Sequence, residues 1–105
     1  LSEIFCKPIL ITEWGYQNKR GTAASPGRWE IDNVPDPEEQ RECYEAFIKY
    51  FFSKENVGFI KGSFVWKWHI SRRGVNDKGY NPREKPAEKV ISGLYKKHYL
   101  SNCKE

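Results

Sequence analysis

Apolar and polar positions along the chain fall into two strand-like runs and two helix-like stripes, in the order strand, helix, strand, helix. The first run is Lys7-Pro8-Ile9-Leu10-Ile11-Thr12-Glu13-Trp14-Gly15. Apolar from Ile9 to Ile11 and bounded by Pro and Gly, it reads as a buried parallel strand. Period-two alternation puts Ile9, Ile11 and Glu13 on one face, with Leu10, Thr12 and Trp14 on the other. From Asp36 to about Ser53 the period lengthens: Tyr44, Phe47, Ile48 and Phe51 recur at i, i+3, i+4 and i+7, the apolar stripe of a helix. Asp36-Pro37-Glu38-Glu39 starts that helix, with Asp at the N-cap, Pro at the first position and Glu39 at capping-box spacing. A second strand follows over residues 59–68, its core running from Gly62 to Trp68 with Phe64, Trp66 and Trp68 on one face. Pro86 opens the last helix, striped by Ala87, Val90, Ile91, Leu94 and Tyr95, and Lys96, Lys97 and His98 suit its negative pole.

Two successive βα units predict a parallel sheet and an α/β fold. Both loops that follow strands are long, from Tyr16 to Pro35 and from His69 to Lys85, while the helix-to-strand link is short. Loops of that length tend to be functional. An α/β barrel divides its active face from its stability face by this same asymmetry, and carboxylates at strand C-termini do the chemistry there. Glu13 stands at such a tip. It reads equally as a polar strand end that solvates a turn, and these nine residues alone do not choose. Trp29, in the middle of the first loop, either caps a groove or staples the loop down.

Composition then narrows the field. At 105 residues the chain is one domain or less. Two strands cannot close a barrel, and a two-stranded parallel sheet has open edges and uncovered faces, so the chain is expected to be part of a larger fold. Leu1, where a native start would have Met, is read the same way. The aromatic fraction of 15% suits a dense core or a stacking surface for sugars or bases. A net charge of +4, with Lys and Arg scattered among 14 acidic residues, lacks the concentrated stripe of a nucleic-acid binder. No apolar stretch approaches the roughly 18 residues of a membrane span, so neither nucleic acid nor membrane is an expected partner. Cys6, Cys43 and Cys103 are odd in number without CxxC spacing, and His69 and His98 lie far apart. Neither a disulfide framework nor a metal site follows, and no cofactor is implied.

With both strands placed, the first run resembles the seventh strand of clan-A retaining glycoside hydrolases, whose glutamate is the nucleophile. Gly62-Ser63-Phe64-Val65-Trp66-Lys67-Trp68 resembles their eighth strand, whose tryptophan floors the sugar site. Gly79-Tyr80-Asn81-Pro82-Arg83-Glu84-Lys85-Pro86-Ala87 is similar to the segment that precedes the last helix in glycoside hydrolase family 113, associated with β-mannanase activity. The resemblance spans essentially the whole chain. It implies that residues 1–105 are the C-terminal quarter of a (β/α)8 TIM barrel, from strand seven to helix eight.

What it implies further is a retaining mechanism, in which two carboxyl groups roughly 5–5.5 Å apart flank the glycosidic bond. Glu13 would attack the anomeric carbon. The partner acid belongs on strand four as an Asn-Glu pair, and Glu55-Asn56 has the reverse order at a helix end. The isolated chain is therefore expected to be inactive, completed by the remaining strands on a missing N-terminal part or a companion chain. Trp66 is the expected sugar platform, against the alternative of a core tryptophan, and Trp68 is packing or an outer subsite. Trp14 reads as core. Tyr16, Arg72, Asp77 and Tyr80 are loop candidates for sugar hydroxyls. The resemblance also puts a cis peptide after the eighth-strand tryptophan, at Trp66–Lys67. A non-catalytic carbohydrate-binding barrel is the alternative function.

Overall fold

The computed structural model describes residues 7–25, 34–53 and 58–98. Its elements run β1 (Ile9–Trp14), α1 (Pro37–Phe51), β2 (Ile60–Val65) and α2 (Pro86–His98). The strands pair in parallel as one two-stranded sheet, the arrangement two βα units predict. The ladder is bracketed by Ile9 N–H donating to the Phe59 carbonyl and Trp66 N–H donating to the Trp14 carbonyl, both at 2.7 Å. The readings that fall on Cys6, Trp29, Glu55-Asn56 and Cys103 lie outside the described residues.

Register departs from simple alternation. Ile11 pairs with Ser63 and Trp14 with Val65, so β1 takes three steps where β2 takes two. That irregularity re-aims one side chain, as bulges do. In consequence Thr12 and Glu13 are both exposed, and Trp14 joins Ile11 on the helix-covered side. The expected grouping of Glu13 with Ile9 and Ile11 is thereby corrected. β2 is corrected too: it begins at Ile60 and ends at Val65, and Trp66 and Trp68 lie beyond it. The strand stops there because β1 ends at Trp14 and offers no further ladder partner.

Both helices cover one face of the sheet. Asp36 caps α1 by accepting from Glu39 N–H at 3.0 Å, with Pro37 at its first position. The reciprocal half of a capping box is replaced: the Glu39 carboxylate reaches away and accepts from Gly21 N–H at 3.0 Å and Ala23 N–H at 2.9 Å. It thus ties the loop after β1 to the start of α1. In α2, Pro86 is the first residue and Glu88 reaches back to accept from Glu84 N–H at 2.5 Å. The core between the layers is Trp14, Tyr44, Phe52, Ile60, Ala87, Ile91 and Leu94, with Phe47, Ile48, Phe51 and Val90 packed against it. Trp14 stacks on Phe47 with centroids 4.0 Å apart and planes 8° from parallel. Tyr95, the last member of the α2 stripe, is exposed. On the sheet's other face Leu10 and Phe64 are 54% and 60% exposed, so among the described residues that apolar face is uncovered.

Candidate active site

Glu13 lies at the C-terminal end of β1, exposed, immediately before the buried Trp14. The core anchors Trp14 through Phe47 and Tyr44, which fixes the strand tip from which the Glu13 carboxylate projects. Next door, the Trp66 amide is bonded to the Trp14 carbonyl. Gly15 follows because nothing larger fits: a β-carbon there would stand 2.0 Å from the Trp66 carbonyl oxygen and 3.3 Å from the Tyr44 hydroxyl. The carboxylate and the first tryptophan after β2 therefore sit on adjacent strand ends. The Trp66–Lys67 peptide is cis, where the resemblance put it.

Beyond the strand ends lies a cleft of about 620 Å³, with Trp66 and Tyr80 among its lining residues. Half of the Trp66 side is exposed, at 48%. Asp77 lines the same cleft, whereas Arg72 pairs with Glu84 at 3.3 Å. Trp68 faces elsewhere, into a groove of about 440 Å³ shared with Phe64, Ile91 and Tyr95. The Tyr16 ring packs edge-on against Tyr44, centroids 5.6 Å apart, and burial pushes its phenol up. So the structure brings Trp66 and Tyr80 together beside the Glu13 strand and leaves Trp68 and Tyr16 in other settings. A wider opening of about 750 Å³ lies between the helices, lined by Arg41, Glu45 and Lys89 but by none of the strand-tip residues. Arg41 there pairs with Glu38 at 2.8 Å and with Glu45, as surface helix ions do. It is a charged helix groove.

Several residues that build the site gave little sequence signal. Asn18, buried in the loop after β1, donates from Nδ2 to the Val75 carbonyl at 2.6 Å and the Asp77 carbonyl at 2.9 Å. Its backbone N–H donates to the Gly79 carbonyl at 3.0 Å. From the opposite side the Lys85 ammonium donates to the Asp77 carbonyl at 2.8 Å and the Asn81 carbonyl at 2.5 Å, and faces Asp77 Oδ2 at 3.4 Å. Burial lowers the Lys85 pKa while Asp77 opposes that shift. Asn81 Oδ1 accepts from His69 N–H at 3.1 Å and Arg83 N–H at 3.3 Å. Asn18, just after β1, and the described loop before α2 are thus hydrogen-bonded together around residues 75–81. Only the two side-chain turns, Gly79 N–H on Asp77 Oδ1 and Arg83 N–H on Asn81 Oδ1, both at 3.3 Å, follow from local turn chemistry.

Among the described residues no group of three His, Cys, Asp or Glu is placed to hold a metal ion. No helix among them is long and apolar enough to cross a membrane.

Comparison with known proteins gives the context for this geometry. The family model described as Glycoside Hydrolase Family 113 matches residues 1–85. Curated protein sequences yield no significant match. Among solved structures, the β-mannanase AaManA from Alicyclobacillus acidocaldarius in complex with ManMIm superposes with a TM-score of 0.78 at 25% identity, over 92% of this chain and 31% of that one. A complex of a family 113 β-1,4-mannanase gives a TM-score of 0.77 at 22% identity, over 90% of this chain and 31% of that one. A further structure of such a mannanase gives 0.74 at 24% identity, over 86% and 29%. The chain therefore spans less than a third of the solved structures it resembles.

Proposed function

The chain belongs to glycoside hydrolase family 113, and from that premise we propose that it supplies the seventh and eighth βα units of a (β/α)8 barrel that hydrolyses a β-linked, mannan-type glycan with retention. The observation that carries this reading is the placement of Glu13 at a strand C-terminus directly beside Trp66, whose amide bonds the carbonyl of Trp14. In the proposed reaction the Glu13 carboxylate attacks the anomeric carbon and forms a glycosyl ester, while an acid from the rest of the barrel protonates the leaving oxygen. The same group, now a base, then takes a proton from the water that hydrolyses the ester.

Trp66 offers the CH face of a pyranose an indole surface, and Tyr80 contributes a wall of the same cleft. Tyr16 and Trp68 stand further out, one against Tyr44 and the other in the neighbouring groove. Residues 1–105 alone would not turn over substrate, since they lack the strand-four acid. The complete barrel tests the reading. Glu13→Ala should lower kcat by several orders of magnitude, and azide should restore turnover of an activated aryl mannoside. Unchanged kcat would remove Glu13 from the nucleophile role. Turnover by the isolated 105-residue chain, abolished by Glu13→Gln, would overturn the assignment of half the machinery to other strands.

A further inference from the structure

The cleft beside Trp66 is strongly cationic. Residues 67–85 carry six Lys or Arg against two carboxylates, Asp77 and Glu84. Both carboxylates are engaged. Asp77 faces the fully buried Lys85 side chain at 3.4 Å, and Glu84 pairs with Arg72 at 3.3 Å. Lys67, Arg73 and Lys78 line the cleft, and among the described residues none of the three lies within ion-pair distance of a carboxylate. The Lys67 ammonium stands 5.8 Å from the centroid of the Trp66 ring. A cation is thus already posted over the surface on which a sugar ring would stack.

His69, on the same wall, is shifted down by burial and by Arg73 and Lys67, with Asp77 opposing. That direction agrees with a positive field. A neutral sugar on Trp66 would gain only hydrogen bonds to its hydroxyls from these groups, whereas an oxyanion at the cleft end of the sugar would meet three opposite charges and gain stronger, charge-assisted bonds. Cations gathered in a concave site concentrate and orient anionic ligands.

We propose that this cleft is a subsite for an anionic group on the glycan, a carboxylate or an ester oxyanion carried by the sugar next to Trp66. The proposal rests on the glycosidase reading of the barrel and adds a preference for acidic or acid-substituted β-glycans over neutral ones. Lys67 faces the group from just past the end of β2, and Arg73 and Lys78 from the loop that Lys85 and Asn18 hold in place.

The test is binding of thio-linked disaccharides, whose sulfur gains little from general-acid assistance and so resists this mechanism, to the complete barrel by calorimetry, with the probes checked for intactness afterwards. Three probes are compared: β-1,4-mannobiose, its mannuronic acid counterpart, and a 6-sulfated mannobiose. At low salt at least one anionic probe should bind roughly three- to thirtyfold more tightly than the neutral one. The preference should shrink as salt rises. Preference for the uronate alone assigns a carboxylate site, and for the sulfate alone an ester site; equal preference assigns a general oxyanion site. In the Arg73→Ala/Lys78→Ala variant the anionic-to-neutral ratio should fall towards one. Lys96→Ala, which removes a charge near the C-terminal end of α2, should leave that ratio in place. Neutral mannobiose binding as tightly as both anionic probes, or a ratio that survives the double substitution, overturns the proposal. Because these probes are not turned over, that failure is distinct from a failure of the Glu13 assignment, which kinetics on an aryl mannoside decides.

Discussion

Gly15 and Trp66 touch so closely that a β-carbon on the first would lie 2.0 Å from the carbonyl oxygen of the second. Gly15→Ala must push the end of β1 away from the segment after β2. Overpacking of this kind costs about 1–3 kcal/mol. Since the displacement falls between Glu13 and Trp66, kcat/KM should fall further than the loss of folded protein explains. Gly62→Ala is the control, because its added carbon meets only the tip of Leu10, at 3.4 Å. Thermal unfolding and kcat/KM of both variants in the complete barrel check this; an Ala at position 15 as stable as Gly would deny the contact.

The sequence made the four elements and their order legible because each carries its own period, cap or breaker. Trp14 is core as expected, but on the side of Ile11 and not with Leu10 and Thr12, and Asp36 caps α1 as its position predicted. What escaped depends on partners distant in the chain. Nothing local says that β1 takes an extra step between Ile11 and Trp14, because only pairing with Ser63 and Val65 defines it. Glu39 had the spacing of a capping box, yet two backbone amides sixteen and eighteen residues upstream claim its carboxylate. Lys85 reads as an ordinary surface lysine between Glu84 and Pro86. Its burial becomes apparent only once the loop from Asp77 to Asn81 wraps around it. For the site, Glu13 was legible as a strand-end residue, whereas Trp66 was read inside the second strand and lies just past its end; the cationic wall was not legible, because Lys67, Arg73 and Lys78 converge through loop geometry.

Lys85→Met should be among the most damaging substitutions in the chain. It removes the donor shared by the Asp77 and Asn81 carbonyls and the cation facing the Asp77 carboxylate, whose side chain is only 17% exposed. Breaking a buried pair by deleting one partner costs about 3–5 kcal/mol. Asp77→Asn in addition to Lys85→Met should cost less than the sum of the two single changes. Denaturant titration of the four proteins in that cycle measures the coupling, and strict additivity would show that the two groups act independently.

Cys43 makes an alkaline prediction. Burial, then Glu39 and Glu42, push its thiol from an ordinary 9.0 up to about 11. At pH values below 9 both folded and unfolded thiols are protonated, and the group contributes no pH dependence. Between about 9 and 11 the unfolded chain loses its proton first, so stability falls as pH rises. Two units correspond to about 3 kcal/mol at most. Cys43→Ala should lower stability at neutral pH yet flatten the decline from pH 9 to 11. Unfolding free energies across that range decide it, and parallel curves for the two proteins would contradict the cause given.

The two tryptophans that follow β2 test the proposed division between binding and packing. Trp66 lines the cleft with Tyr80, beside the strand that carries Glu13, and Trp68 lines the groove formed by Phe64, Ile91 and Tyr95. Both are about half exposed, at 48% and 51%, so burial does not distinguish them and their neighbours must. Removing an indole that stacks on substrate forfeits about 1.5–3 kcal/mol of apolar contact. In kcat/KM that is roughly a ten- to hundredfold loss. Trp66→Ala in the complete barrel should therefore lose that much on mannan while unfolding close to the parent temperature. Trp68→Ala should show the reverse: a kcat/KM within a few-fold of the parent and a lowered unfolding temperature, because its partners are apolar side chains of β2 and α2. If Trp68→Ala gave the larger kinetic loss, the sugar platform would belong to the outer groove, and the Trp66 cleft would be left without a stacking surface for the ligand proposed there.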